Sequence, residues 1–187
     1  MSVLAPGILI AAPPIGDPNF DRSVVLLASH DEKGAFGWVI NGPTMMTIGQ
    51  LLVRAEITED VVESPGQVRR GGPVSEEQVW LVYPESSRLV GVEGQFQVAP
   101  GIVATASRSF LERLGQGQKV PGLLAFAGYA GWGPGQLENE IRVGGWLPGP
   151  AEDEFVFGTP ADEAWTRAYE RLGTSPMAFN SRTVGLA

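Results

Sequence analysis

The chain has 187 residues, 43% of them hydrophobic and 18% charged, a mixture that supports a folded core and excludes an intrinsically disordered chain. The formal net charge is −8, from 13 basic and 21 acidic residues, so the average field repels polyanions such as nucleic acid. There is no cysteine and only 1 histidine, which excludes disulfides, thiolate metal sites and cysteine nucleophiles and leaves only carboxylate sites for hard cations.

No Lys or Arg precedes Arg22, and the first apolar run is broken by Pro13 and Pro14, unlike a secretory signal. No stretch approaches the roughly 18 apolar residues of a membrane span. The expectation is a soluble, cytoplasmic protein with no membrane partner.

"GILIAA" (7–12) is a short apolar run stopped by two prolines, as in a buried strand. "PPIGDPNFDRS" follows as a turn-rich connection in which Asp17 and Asn19 flank Pro18 and bond local backbone. "SVVLLASH" (23–30), a "DEKG" turn and "AFGWVIN" (35–41) read as one antiparallel hairpin. "TIGQLLVRA" (47–55) has helical spacing with Thr47 as its N-cap. Residues 56–67 are acidic and irregular. "VRRGGPV" (68–74) is a short extended piece with a tight turn, and "EQVWLVYP" (77–84) a strand ended by proline. "RLVGVEGQFQV" (88–98) reads as a weaker extended segment.

"SRSFLERLGQG" (107–117) reads as a helix with a Ser109/Glu112 capping box and Gly115 as its C-cap glycine. "GLLAFAGYA" (122–130) is a buried strand, "GQLENEIRV" (135–143) a helix and "EFVF" (154–157) another strand. "TPADEAWTRAYERLG" (159–173) has the strongest helix signals: Thr159 as N-cap, Pro160 at the first position, and an apolar stripe of Ala161, Trp165, Ala168 and Leu172. This amounts to about seven strands and four helices that do not alternate, which argues for one α+β domain over residues 1–187 with a curved or barrel-like sheet. The tail from about residue 175 is polar and expected to be loosely held.

Nucleotide-binding glycine fingerprints and the nucleophile elbow are missing from the sequence. His30 ends a strand beside a turn, and reads either as a structural hydrogen-bonding residue or as a catalytic or ligand residue. Arg69–Arg70 is the adjacent basic pair, with a solvated surface role as its plain reading. The stretch "GYAGWGPGQLENE" (128–140) reads as strand, glycine loop and helix. Its glycines either let a buried strand turn sharply into a packed helix or let a ligand approach the helix start. Tyr129 and Trp132 are core plugs or pocket walls.

"DPNFDRSVV" (17–25), "GAFGWVIN" (34–41), "GGPV" (71–74) and "GYAGWGPGQLENE" (128–140), followed by Trp146–Leu147, resemble the AlgH/YqgE family of small bacterial proteins. The order and spacing match from Gly7 to about Phe157. The resemblance implies a single α+β domain with a bifurcated mixed β-sheet that includes a small closed barrel, surrounded by helices. It implies no established reaction; family members are labelled transcriptional regulators through a genetic link to alginate production. The family pattern usually carries a basic residue before the proline after "VIN", whereas Gly42 stands there in this chain.

Two functions fit. One is a non-enzymatic regulator that acts by protein interaction, since no helix-turn-helix or basic helix supports direct nucleic-acid binding. The alternative is a small-molecule-binding domain or an enzyme with no recognisable catalytic constellation, the first being favoured. No cofactor and no metal is expected. The candidate ligand-binding residues are Asp17, Asn19, Arg22, His30, Asn41, Arg70, Gly71, Gly72, Trp132, Gln136 and Glu138, with Asn19, Arg22, Asn41 and Gln136 orienting a ligand and Glu138 as a base.

Overall fold

The apolar runs of the sequence become strands that share one branched sheet. The computed structural model describes residues 4–63 and 66–178. The expected loose tail lies mostly outside that range. Ten strands form in chain order: β1 Gly7–Ala11, β2 Val24–Asp31, β3 Gly34–Val39, β4 Thr44–Thr47, β5 Gln67–Arg70, β6 Val74–Pro84, β7 Phe96–Ala99, β8 Ile102–Thr105, β9 Leu124–Trp132 and β10 Trp146–Gly149. The α-helices are α1 Ile48–Arg54, α2 Arg108–Gly115, α3 Gln136–Arg142, α4 Asp153–Gly158 and α5 Ala164–Arg171.

β9 is where the sheet divides. Its C-terminal half pairs antiparallel with β3, continuing through β2 and β1 to β10. Its N-terminal half pairs antiparallel with β6 and parallel with β5, so the sheet is mixed. The hydrogen-bonded path runs β10-β1-β2-β3-β9-β6-β8-β7, with β4 joined to β5 at the side. β7 curls back against β2. That curl produces a half-barrel, and among the described residues no ladder joins the two ends of the path. The curl encloses Trp38, Leu26, Val82, Phe126 and Val98, with α4 and α5 packed over them. A second core lies under α1 and α2, and a third holds Trp132, Leu137 and Trp146.

The β2–β3 hairpin, the strand at β9 and the helices at α1 and α3 stand as expected. Thr47 caps α1 through a reciprocal box: its Oγ1 accepts from the Gln50 N–H at 3.1 Å, and the Gln50 side chain accepts from the Thr47 N–H at 2.9 Å.

Several expectations are corrected. "EFVF" is not a strand but the body of α4, burying Phe155 and Val156. The capping box assigned to Ser109 and Glu112 does not form; Ser107 holds the N-cap position, and its Oγ lies 2.7 Å from the Ser109 Oγ. Gly115 is the last helical residue, while Gly117 takes the left-handed conformation (φ 89°) beyond the end. Thr159 is extended and ends α4, and the residues after Pro160 form a turn, so α5 starts only at Ala164. Its buried face is Ala164, Ala168 and Tyr169, and Leu172 is exposed. In the segment 88–98 only the end is extended, as β7. β4, β8 and β10 are strands beyond the expected count.

Candidate functional site

The glycine-aromatic stretch turns from β9 into α3 as its sequence implies. β9 runs to Trp132, and Gly135 takes the left-handed conformation (φ 72°) at the N-cap of α3. The Gly133 N–H donates to the Gln136 Oε1 at 3.0 Å, so a side chain of the helix's own first turn closes the loop. Gln136 and Glu140 are four residues apart and therefore share one face of α3. The Gln136 Nε2 donates to the Glu140 Oε1 at 2.9 Å. The Glu140 Oε2 accepts from two indoles, Trp132 Nε1 at 2.9 Å and Trp146 Nε1 at 2.8 Å. Both tryptophans are buried. One carboxylate thus ties together the end of β9, the helix α3 and the strand β10.

In front of this carboxylate lies a cleft of about 220 Å³ lined by Ile15, Asp17, Phe20, Trp132, Gln136, Glu140 and the exposed Val143. The Phe20 ring stacks on Trp132 with centroids 6.1 Å apart and meets Trp146 edge-on at 5.4 Å. The loop carrying Phe20 is fixed by an Asx turn: the Asp17 Oδ1 accepts from the Asn19 N–H at 2.9 Å and from its Nδ2 at 3.0 Å. The Asn19 Oδ1 in turn accepts from Arg70 Nη1 at 3.1 Å, and Arg70 is held by Glu76, which accepts from its Nε at 2.7 Å. Arg70 therefore positions the cleft's loop from the far side.

Of the eleven candidate residues, three line the cleft: Asp17, Trp132 and Gln136. Asn19 and Arg70 support it through the chain just described. The remaining six lie elsewhere and have their own work. Asn41 bridges the start of β2, its Oδ1 accepting from the Val24 N–H at 2.8 Å and its Nδ2 donating to the Arg22 carbonyl at 2.9 Å. Arg22 has a positive φ of 51° and places its guanidinium 5.6 Å from the Trp165 ring centre. Gly71 and Gly72 pass against β9 so closely that a Cβ would stand 2.5 Å from the Gly128 carbonyl oxygen and 2.1 Å from the Tyr129 carbonyl carbon, respectively.

The buried His30 and the partly exposed Glu138 form a separate pair. The Leu4 N–H donates to His30 Nδ1 at 3.3 Å, which leaves Nε2 to carry the proton and donate to the Glu138 Oε1 at 3.0 Å. The Glu138 pKa is lowered from 4.5, first by its own backbone N–H, then by the His30 hydrogen bond. A carboxylate so stabilised is a poor base, which weighs against that role for Glu138.

Glu140 is the residue that the sequence reading passed over. Its signal was the four-residue spacing Trp132, Gln136, Glu140, which repeats on one side of the loop and helix. Among the described residues no cluster of three or more His, Asp or Glu side chains is arranged to hold a metal ion. Among them, too, no helix is long and apolar enough to cross a membrane. A larger groove of about 780 Å³ runs along residues 114–123, but no motif residue reaches it.

A family model described as AlgH-like matches residues 8–177. A UPF0301 protein of Anaeromyxobacter sp. (strain Fw109-5) is 39% identical over 186 residues, covering 95% of this chain and 92% of its own. A UPF0301 protein of Idiomarina loihiensis is 38% identical, covering 92% and 93%. Among solved structures, the solution structure of the AlgH protein from Pseudomonas aeruginosa superposes with a TM-score of 0.75 at 29% identity, covering 100% of this chain and 95% of that one. The crystal structure of a Corynebacterium diphtheriae protein gives 0.70 at 27% identity, covering 89% and 86%. The chain belongs to the AlgH-like family.

Proposed function

We propose that this protein is a non-enzymatic, cytoplasmic regulator that works by docking to other molecules at the cleft between the 15–20 loop, the end of β9 and α3, and not by gripping nucleic acid. The observation that carries the reading is the Glu140 carboxylate, fixed by two buried indole N–H groups and an amide at the back of an open cleft. Such a group is rigid before anything binds, so little ordering cost is left for association. At about 220 Å³ the cleft is smaller than the roughly 300 Å³ or more of a drug-sized ligand site. It suits one protruding group of a partner. The exposed Val143 supplies an apolar rim beside it.

Charge supports the second half of the reading. The net charge is −8, and the adjacent basic pair is already engaged, Arg69 with the Gly42 carbonyl and Arg70 with Glu76 and Asn19. We also read residues 1–187 as one domain, and the curled sheet as a small barrel closed by packing of β7 against β2.

The test is a thermal-shift screen of small amines, carboxylates, nucleotides, sugar phosphates and divalent metals on the wild type and on Val143→Trp, which covers the mouth. A ligand at 100 times its Kd raises stability by about 2.7 kcal/mol. A shift seen in the wild type and lost in Val143→Trp supports docking at the cleft. Equal shifts in both proteins, or tight salt-dependent retention of duplex DNA in a mobility assay, overturn the reading.

A further inference from the structure

From the hydrogen-bond capacity of the cleft, we infer that it accepts a primary alkylammonium group, such as a lysine side chain or a small free amine; this rests on the reading of the cleft as the docking site. A carboxylate offers about four acceptor positions, two on each oxygen. The Glu140 Oε2 is filled by the two indoles, and Oε1 accepts once from Gln136, so one position remains, on Oε1. In Asp17, both bonds from Asn19 fall on Oδ1, and Oδ2 is left to face other donors.

Among the described residues no cation neutralises either carboxylate. The described ion pairs join His30 to Glu138, Arg70 to Glu76, Arg108 to Glu112, Arg167 to Glu163 and Arg171 to Glu152. Arg142, the cation of α3 itself, is bonded to the Asn139 side chain. Among the described residues, then, the two carboxylates of the cleft have no cationic partner, and they stand beside the stacked rings of Phe20 and Trp132. Aromatic walls with anionic groups suit an organic cation.

The distribution of free positions chooses between cations. A guanidinium binds carboxylates best as a planar fork that needs both oxygens at once. Glu140 cannot offer that, because Oε2 is saturated. An ammonium is a compact charge with three independently aimed donors, so it can use one position on Glu140 and another on Asp17. Size agrees. A cleft of about 220 Å³ holds roughly seven water-sized volumes of about 30 Å³ each, enough for a butyl chain and its ammonium.

The test follows the side-chain N–H signals of Trp132 and Trp146 by NMR while n-butylammonium, methylguanidinium or butyrate is added at constant ionic strength. Butylammonium is expected to move both signals saturably, at concentrations on the order of millimolar. Asp17→Asn, which removes a charge without touching the indole bonds, is expected to weaken binding about tenfold. A lysine-bearing tetrapeptide amide tells a protein source from a free amine by binding more tightly than butylammonium. A stronger response to methylguanidinium or butyrate overturns the ammonium assignment and leaves the cleft as a docking site. No response to any probe or peptide overturns both.

Discussion

Replacing Glu140 by alanine is the most informative single perturbation, because the side chain is asked to do structural and recognition work together. The substitution leaves the N–H groups of Trp132 and Trp146 without their partner, and these residues are only 6% and 1% exposed. An unsatisfied buried donor costs about 1–3 kcal/mol, so the pair costs roughly 2–6 kcal/mol. Water entering the cleft relieves part of this, which puts the expected loss near the lower end, about 2–3 kcal/mol. The exposed Gln136 amide finds water and adds little. For a chain this long, each kcal/mol lowers Tm by about 2–4 °C, so Glu140→Ala is expected to melt roughly 5–10 °C lower. Glu140→Gln keeps one oxygen for both indoles but loses the charge assistance and the bond from Gln136, whose Nε2 then faces an amide NH2; with Gln136 exposed to water the cost is about 1 kcal/mol. Urea unfolding followed by tryptophan fluorescence and far-ultraviolet circular dichroism reads both variants. A Glu140→Ala variant within about 0.5 kcal/mol of wild type, or one no worse than Glu140→Gln, refutes the assignment of this carboxylate as the tie between α3, β9 and β10.

Other substitutions and conditions test neighbouring parts of the structure. Asn41→Ala removes both bonds that anchor the start of β2 and is expected to cost about 1–3 kcal/mol in the same urea assay. Gly72→Ala forces a methyl group against the Tyr129 backbone, at a cost of about 1–3 kcal/mol or more, seen as a lower urea midpoint. Burial raises Tyr83 and Tyr169 from 10.0 to about 12. The unfolded chain therefore holds fewer of these protons between pH 10 and 12, and stability falls with rising pH across that window. Tyr83→Phe together with Tyr169→Phe should flatten that alkaline slope. Glu138 behaves in the opposite sense. Its lowered pKa gives stability that is full above about 4.5 and lost as pH falls through the folded value, and His30→Gln should reduce this acid sensitivity in pH-dependent melts.

Much of the fold was legible where local signals were strong and self-consistent. The β2–β3 hairpin is a pair of β-branched and aliphatic runs about a four-residue turn, and α1 combines helical spacing with a good cap. "EFVF" failed because four apolar residues fit a strand or a buried helical turn equally well, and only the surrounding core decides. α5 starts late because the extended Thr159 and the turn after Pro160 serve to separate it from α4. β10 was hidden by Pro148 and Gly149, which read as loop, although proline is tolerated on a sheet edge.

The site was legible in part for the same reason. Asp17, Trp132 and Gln136 stand in motifs with unusual composition, and they do meet at one cleft. Asn41, Gly71 and Gly72 stand in similar motifs for backbone reasons, as a strand anchor and as points of close approach. Glu140 stands in the sequence as the second acidic residue of α3, after Glu138. Its meaning came from Trp146, whose approach depends on the unread strand β10.

Whether the cleft before Glu140 is the working surface can be read from a photo-crosslinking amino acid placed at Val143 on its rim or at Val90, a still more exposed position on the loop before β7. A docking cleft gives a discrete crosslinked product in cells from position 143 and none from 90, and Asp17→Asn in the same chain reduces it. The same products from both positions, or a product from 143 untouched by Asp17→Asn, would contradict docking there.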